Sequence, residues 1–131
     1  MIGLDTNVLV RYLMQDDAKQ AAKATRLMES LTVEVPGFVS VVSVVELGWV
    51  LTSAYGLTRS QLEQALEALL RTKELVVDRA DQVLQALRVF KATKADLADC
   101  LIERSAASAG CEQTMTFDVG AAKGAGMVLV Q

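Results

Sequence analysis

The feature of the sequence that most constrains its fold is the alternation of short apolar segments with longer stretches of helical periodicity. Residues 1–4 and 74–77 form short, mostly apolar segments, whereas residues 17–31 and 59–71 carry apolar side chains three and four positions apart. Parallel strands need crossover connections, which helices commonly form. The alternation therefore predicts a three-layer α/β domain with helices on both faces of a short, mostly parallel central sheet.

The remaining elements follow from periodicity and from glycines at helix ends. Thr58 and Gln61 have the spacing of a capping box that would open the helix at 59–71. No repeat, low-complexity stretch or Pro/Gly-rich linker interrupts the chain, which predicts one continuous domain over residues 1–131. The other predicted elements are a strand at 33–35, helices at 43–55, 79–90 and 97–109, and strands at 114–117 and 127–130.

Composition limits the chemistry that the chain can perform. The sequence contains no histidine, which removes the commonest general acid and base and every Ser-His or Cys-His arrangement. Cys100 and Cys111 do not form a Cys-x-x-Cys pair, and no chemistry is assigned to them. The net charge of -3 argues against a broad basic face for nucleic acid. Any catalysis must therefore rest on carboxylates, lysines, hydroxyls or a metal.

Hydrophobicity bears on location and partners. The longest nearly apolar stretch, residues 38–51, is shorter than the roughly 20 residues of a bilayer span and contains Glu46, so no membrane segment is expected. The amino-terminal residues lack the features of a signal peptide, and a cytoplasmic protein is expected. An apolar fraction of 52% is high for 131 residues, which predicts a surface that binds a partner.

Four acidic residues lie in apolar or strand-end sequence: Asp5 after Ile-Gly-Leu, Glu46 in Val-Val-Glu-Leu, Asp99 in Leu-Ala-Asp-Cys-Leu-Ile, and Asp118 after Met-Thr-Phe. An ionised carboxylate in apolar surroundings is costly unless it is paired, hydrogen-bonded or bound to a metal. Asp5 and Asp118 each follow a predicted strand, and parallel sheets place ligand sites beyond the carboxyl ends of their strands. A shared cation would explain all four acids, and oxygen ligands favour Mg²⁺ or Mn²⁺ over Zn²⁺.

Two of these acids also have a structural interpretation as parts of helix N-termini. Ser43 and Glu46 have the Ser-x-x-Glu spacing of a capping box, a role that can coexist with metal binding. Asp96 could be an N-cap with Asp99 in the first helical turn, or Asp96 could be an auxiliary metal ligand. The sequence alone allows both interpretations.

The other two acids have structural interpretations as well. Asp118 could be a turn residue before Gly120, and a single Asp at a strand end, such as Asp5, is more often structural than catalytic. Taken together, however, the four acids favour phosphodiester hydrolysis. A metal there would lower the pKa of a bound water and stabilise charge on the phosphate and the leaving oxygen.

The sequence resembles the PIN-domain family and, within it, the VapC-type toxins of bacterial toxin-antitoxin pairs. The resemblance spans nearly the whole chain, and its four motifs occur in order at family-like spacing. They are Leu-Asp-Thr-Asn-Val-Leu-Val-Arg at 4–11, Val-Val-Glu-Leu-Gly-Trp-Val-Leu at 44–51, Asp-Leu-Ala-Asp-Cys-Leu-Ile at 96–102, and Thr-Phe-Asp at 116–118.

The resemblance implies a role for each matching residue. The family's catalytic, metal-binding acids match Asp5, Glu46, Asp99 and Asp118, with Asp96 as an additional acid. Polar residues beside the motifs are expected to orient these carboxylates. They are Thr6, Asn7, Ser43 and Thr116.

The resemblance also implies an activity and partners. It predicts a Mg²⁺- or Mn²⁺-dependent endoribonuclease that cleaves cellular RNA, forms a homodimer, and is inhibited by an antitoxin protein lying along the active-site groove. The basic residues beside the motifs could guide RNA or be solvated surface charges; they are Arg11, Lys94, Arg104 and Lys123.

Two alternatives to the nuclease are kept. One is a non-catalytic PIN-like binding module whose acids hold a structural cation or receive a basic peptide. The other is a metal-dependent phosphatase or phosphotransferase with Asp5 as nucleophile. The second alternative lacks the usual Asp-x-Asp spacing because Asn7 occupies the second position.

Overall fold

The computed structural model describes all 131 residues as a mixed α/β chain with seven helices and five short strands. The chain divides into two compact units, residues 1–78 and 79–131. The first contains β1 (Ile2–Gly3), α1 (Thr6–Met14), α2 (Ala18–Ser30), β2 (Gly37–Val39), α3 (Val41–Ser53), α4 (Arg59–Arg71) and β3 (Leu75–Val77). The second contains α5 (Ala80–Ala92), α6 (Leu97–Ser108), β4 (Met115–Thr116), α7 (Val119–Gly124) and β5 (Val128–Leu129).

The first unit is built on a three-stranded parallel sheet in the order β1-β2-β3. Gly37 opens the central strand, where a Cβ atom would lie 2.8–2.9 Å from the side chains of Leu4, Leu31 and Leu75. Only glycine fits that space without displacing its neighbours. The sheet therefore depends on a small residue where the central strand meets the core.

Side-chain caps fix where the helices of the first unit begin. Asp17 caps α2, Ser40 caps α3, and Thr58 and Gln61 form the predicted capping box of α4, which is confirmed. Apolar stripes on these helices form the core of the unit. Its largest fully buried side chains are Leu9, Val39, Val44, Leu47, Leu51, Leu62 and Leu66.

The second unit packs α5 against α6 and ends in a two-stranded parallel sheet of β4 and β5. Val83, Leu87 and Cys100 are almost completely buried. Gly124 closes α7, and a Cβ atom there would lie 2.8 Å from the Cβ of Ala95. This close approach ties α7 to the segment before α6.

The predicted α/β class with parallel strands is confirmed, because every strand pair is parallel. The strand predicted at 33–35 is wrong. Thr32 accepts a hydrogen bond from the Val35 amide through its hydroxyl and donates its own amide to the Val35 carbonyl, which makes a turn, and Val33 is 64% exposed. The strand lies two residues past Val35, at Gly37–Val39.

Two helices were missed because their sequences predict helix poorly. Helix α1 contains Thr, Asn and two Val residues, which have low helix propensity, and it is stabilised by burial of Leu9 and Val10. Helix α7 has six residues, two of them glycine. Helix α3 begins at Val41 rather than at residue 43, because Ser40 is its cap.

The single continuous domain expected over residues 1–131 stays a prediction. No helix combines the length and the apolar character needed to cross a bilayer.

Candidate functional site

Asp5 lies where β1 ends and α1 begins. Its carboxylate caps the helix and accepts a hydrogen bond of 2.8 Å from the Thr6 amide through Oδ1. The amide of Leu4 donates to the Phe38 carbonyl at 2.9 Å, which anchors the strand immediately before Asp5. The chain thus places an exposed carboxylate at the carboxyl edge of the parallel sheet, the edge where open α/β sheets bind ligands.

Glu46 projects from α3 and is held by a residue of α1. The hydroxyl of Thr6 donates to Glu46 Oε1 at 2.8 Å. Thr6 is only 6% exposed, so the hydrogen bond joins a buried donor to an exposed carboxylate. Thr6 therefore connects the first acidic motif to the second, which supports the orienting role predicted for it.

The structural interpretation of Glu46 as a capping-box residue is wrong. The N-cap of α3 is Ser40, whose hydroxyl accepts from the Ser43 amide at 3.1 Å, and Glu46 lies in the second turn of the helix. Ser43 is buried, and its hydroxyl oxygen accepts from the Ser40 hydroxyl at 3.3 Å. Ser43 therefore takes part in the cap, and its predicted role in orienting a carboxylate stays a prediction.

Asp96 and Asp99 open α6 in the second unit. Asp96 is the N-cap and accepts from the Ala98 amide at 2.7 Å, as the structural interpretation predicted. Asp99 lies in the first turn and is half-buried. Capping uses Oδ1 of Asp96, so this role does not compete with ligation by its other oxygen.

Asp118 caps the short helix α7. Its Oδ1 accepts from the Ala121 amide at 3.0 Å, and its own amide donates to the Thr116 hydroxyl at 3.0 Å. Thr116 thus fixes the backbone of Asp118 rather than its carboxylate. The side chain of Asp118 is exposed at the end of β4.

Asp99 of the second unit is affected by burial and by two other acids of that unit. Burial raises the pKa of Asp99 above its ordinary value, and the negative charges of Asp96 and Asp118 raise it further. A nearby cation would oppose both effects because it favours the ionised carboxylate. The electrostatics of this unit therefore suit a positively charged ligand.

The apolar or strand-end sequence around the four acids does not bury most of their side chains. Asp5, Glu46 and Asp118 are exposed, and only Asp99 is half-buried. Their apolar sequence neighbours turn inward, whereas the acids occupy strand ends and helix surfaces that face solvent. Burial therefore does not explain their presence, which leaves capping and ligand binding.

The PIN domain family matches residues 2–126 of the chain, a range that includes all five acids of the candidate site. The chain belongs to the PIN-domain family. PIN domains are generally nucleases and typically use divalent metal ions. No curated protein matches the chain.

The carboxylate oxygens of this PIN domain are of the chemical type that binds a hard divalent cation. Asp5, Glu46, Asp96 and Asp118 each use one carboxylate oxygen for a protein hydrogen bond, which leaves the second oxygen for a ligand. The structure contains no group of three or more His, Cys, Asp or Glu side chains placed to hold a metal ion. The meeting of the two acidic sets at one cation stays a prediction.

The other polar residue predicted to help, Asn7, points elsewhere. It lines a cavity of about 280 Å³ between α1 and α2, whose walls also include Arg11, Lys23 and Leu27. Asn7 is exposed and donates no side-chain hydrogen bond to Asp5 or Glu46. Its orienting role stays a prediction.

Two basic residues considered as RNA guides are engaged with acids. Arg11 pairs with Asp16 at 3.1 Å. The pKa of Asp16 lies below its ordinary value, mainly because Tyr55 donates a hydrogen bond to its carboxylate and to a smaller extent because Arg11 does. Arg104 pairs with Glu103 at 2.5 Å. Pairing reduces the charge that either guanidinium can offer to a phosphate.

Proposed function

We propose that this PIN domain is a Mg²⁺- or Mn²⁺-dependent endoribonuclease whose metal is held by Asp5, Glu46, Asp99 and Asp118, with Asp96 as an auxiliary acid. The observation that carries the proposal is the family match over residues 2–126, which contains every one of these acids. The hard oxygen donors and the absence of histidine support metal-assisted hydrolysis over acid-base catalysis by imidazole.

The metal, when bound, polarises the phosphate and lowers the pKa of a bound water. The chain's own contribution is to fix the carboxylates before the metal arrives. Thr6 directs one oxygen of Glu46, and the helix N-termini of α1 and α7 each hold one oxygen of their capping Asp. Such preorganisation reduces the conformational entropy lost on binding.

Asp99 has a different part in the same site. Its raised pKa reflects a half-buried position beside two other negative charges. A divalent cation bound beside Asp99 would relieve that repulsion, which favours metal binding, and it would supply positive charge toward the phosphate. Replacing Asp99 by Asn removes one ligand charge and keeps the volume of the side chain.

The activity is tested with purified protein and total cellular RNA. We expect cleavage with Mg²⁺ or Mn²⁺, no cleavage in EDTA, and recovery when the metal is restored. Asp99→Asn should be inactive with an unchanged circular dichroism spectrum, while Glu29→Gln, an exposed acid on α2 outside all motifs, should cleave like wild type. Cleavage that continues in EDTA would contradict the metal mechanism, and a wild type without cleavage would favour the non-catalytic binding module.

We further propose that the protein is the toxin of a toxin-antitoxin pair, that it forms a homodimer, and that an antitoxin protein occupies its active-site groove. The sequence resemblance supports this, together with large apolar side chains left exposed on α3, namely Val42 at 64% and Trp49 at 61%. Exposed apolar surface is typical of sites that bind partners. Because most of its side chain is exposed, Trp49 does not pack in the core.

Expression in cells tests the toxin role. Wild type should arrest growth and degrade RNA, Asp5→Asn should do neither, and co-expression of a small neighbouring reading frame should restore growth. Equal growth arrest by wild type and Asp5→Asn would contradict a catalytic toxin. Light scattering of the purified protein should give twice the mass of 14.1 kDa if the homodimer is correct.

A further inference from the structure

Phe117 is the most exposed large apolar side chain of the chain, at 84% exposure. It stands between Thr116 and Asp118, two residues of the candidate site, and so lies one residue from a proposed metal ligand. A single exposed apolar residue is ordinary. Its position directly beside a proposed catalytic acid is what calls for an explanation.

The backbone on both sides of Phe117 is fixed. The Thr116 hydroxyl accepts from the Asp118 amide at 3.0 Å, and the Thr116 carbonyl accepts from the Val130 amide at 2.9 Å. Asp118 is in turn held by its capping bond to Ala121 at 3.0 Å. The exposed ring is therefore mounted on a rigid segment, and a ligand that packs on it loses little freedom of this backbone.

The charge of the protein limits how it can hold RNA. The net charge is -3, and the negative charges of Asp96 and Asp118 act on Asp99. For a protein with this net charge, phosphate contacts alone are expected to give weak binding. Stacking of a base on an aromatic ring is attractive without any positive charge, and it tolerates every base because each has a π face.

We propose that Phe117 is a positioning residue that stacks on the base beside the phosphodiester bond cleaved at Asp118. This inference rests on the proposed nuclease function and adds to it the group that holds the substrate. Consecutive Cα atoms are about 3.8 Å apart, so the Phe117 ring and the Asp118 carboxylate project from adjacent points of one backbone. The ring would align the sugar-phosphate backbone with the acids.

The experiment compares four substitutions in cleavage of a short single-stranded RNA of mixed sequence with Mn²⁺. Phe117→Ala should raise KM by roughly 5- to 100-fold, the range expected for loss of one stacked base. Phe117→Tyr should restore KM to near wild type, whereas Phe117→Leu, which keeps apolar bulk without a π system, should not. Val33→Ala, an exposed apolar residue outside all motifs, should leave KM and kcat unchanged.

Two controls make the result decisive. Circular dichroism and light scattering should show the same fold and the same mass for wild type, Phe117→Ala and Phe117→Leu. A changed mass, or equal rescue by Leu and Tyr, would overturn the proposal, because the ring would then serve a protein contact or simple apolar packing. If wild type cleaves RNA and Phe117→Ala keeps its KM, only this inference fails. If wild type does not cleave at all, the proposed nuclease function fails with it.

Discussion

The acids of residues 1–78 and those of residues 79–131 are held in contrasting ways. In the first unit, Asp5 is bonded to the Thr6 amide and Glu46 to the Thr6 hydroxyl, so a single residue satisfies one oxygen of each acid. In the second unit, Asp99 has a raised pKa because it is partly buried and lies near the charges of Asp96 and Asp118. The two acids of the first unit share one donor residue, whereas Asp99 of the second unit lies beside negative charges that raise its pKa.

This difference separates two tasks that a metal site must perform. Donors such as Thr6 fix the direction of a carboxylate oxygen, which sets the geometry of the proposed metal ligands. Clustered negative charge raises the affinity for a cation, because the binding energy of a cation is most favourable where the electrostatic potential is most negative. The first unit is therefore expected to contribute mainly to orientation, and the second mainly to cation affinity.

The largest expected effect is on cleavage, where the two sets should be equally necessary. Asp5→Asn and Asp99→Asn should each reduce kcat by about 100-fold or more, since each removes the charge of a proposed metal ligand. Asn also serves as an N-cap, so Asp5→Asn keeps the start of α1. Cleavage rates at saturating Mn²⁺ measure this, and full activity in either variant would remove its unit from the site.

A smaller effect is expected from the donor that organises the first unit. Thr6→Val keeps the shape of a buried side chain and removes the hydroxyl that bonds Glu46, which should weaken Mn²⁺ binding by about 10-fold. Thr52→Val is the matched control, because the Thr52 hydroxyl bonds only carbonyls of its own helix. Isothermal titration measures the Mn²⁺ affinity of both variants. An affinity of Thr6→Val equal to that of Thr52→Val and wild type would show that Thr6 has only a packing role.

Next in size is the capping contribution of an acid in the second unit. In EDTA, Asp118→Ala should lower the free energy of unfolding by about 1 kcal/mol because the Ala121 amide loses its acceptor. Asp118→Asn should stay within a few tenths of wild type while losing activity. Denaturation in urea gives both values, and equal stability of the Ala and Asn variants would argue that the cap does not hold α7.

The smallest effect concerns pH. Because the folded protein holds Asp99 at a raised pKa, it binds a proton more tightly than the unfolded chain does, and metal-free stability falls as pH rises through this range. Asp99→Asn should remove that fall and gain a few tenths of a kcal/mol at pH 7, a modest value because solvent screens the site. Melting temperatures between pH 4 and pH 7 in EDTA measure this. A steeper fall in the variant would contradict the assigned repulsion.

Sequence reasoning was strongest where local chemistry is decisive. The Thr58–Gln61 capping box and the N-cap role of Asp96 depend on a few neighbouring residues, and both are confirmed. The parallel pairing followed from the alternation of elements. Helices α1 and α7 were not predicted, because burial and an acidic cap outweigh the poor propensity of their residues.

The candidate site was predicted by residue type but not by environment. Apolar neighbours suggested buried carboxylates, yet Asp5 and Glu46 face solvent, since neighbouring residues on a strand end or helix can point in opposite directions. The bond from Thr6 to Glu46 spans 40 positions in sequence, so no local pattern could specify its geometry. The exposure of Phe117 also depends on the folded backbone rather than on its motif.

The two acidic sets are proposed to bind one common divalent cation. Paramagnetic broadening of backbone amide signals by substoichiometric Mn²⁺ tests it most directly. If the metal is shared, the signals at Asp5–Thr6 and at Asp99 and Asp118 should broaden together at the same Mn²⁺ concentration, and Asp5→Asn should weaken the broadening in both sets. Broadening confined to the second set, with no response to Asp5→Asn, would contradict a shared metal site.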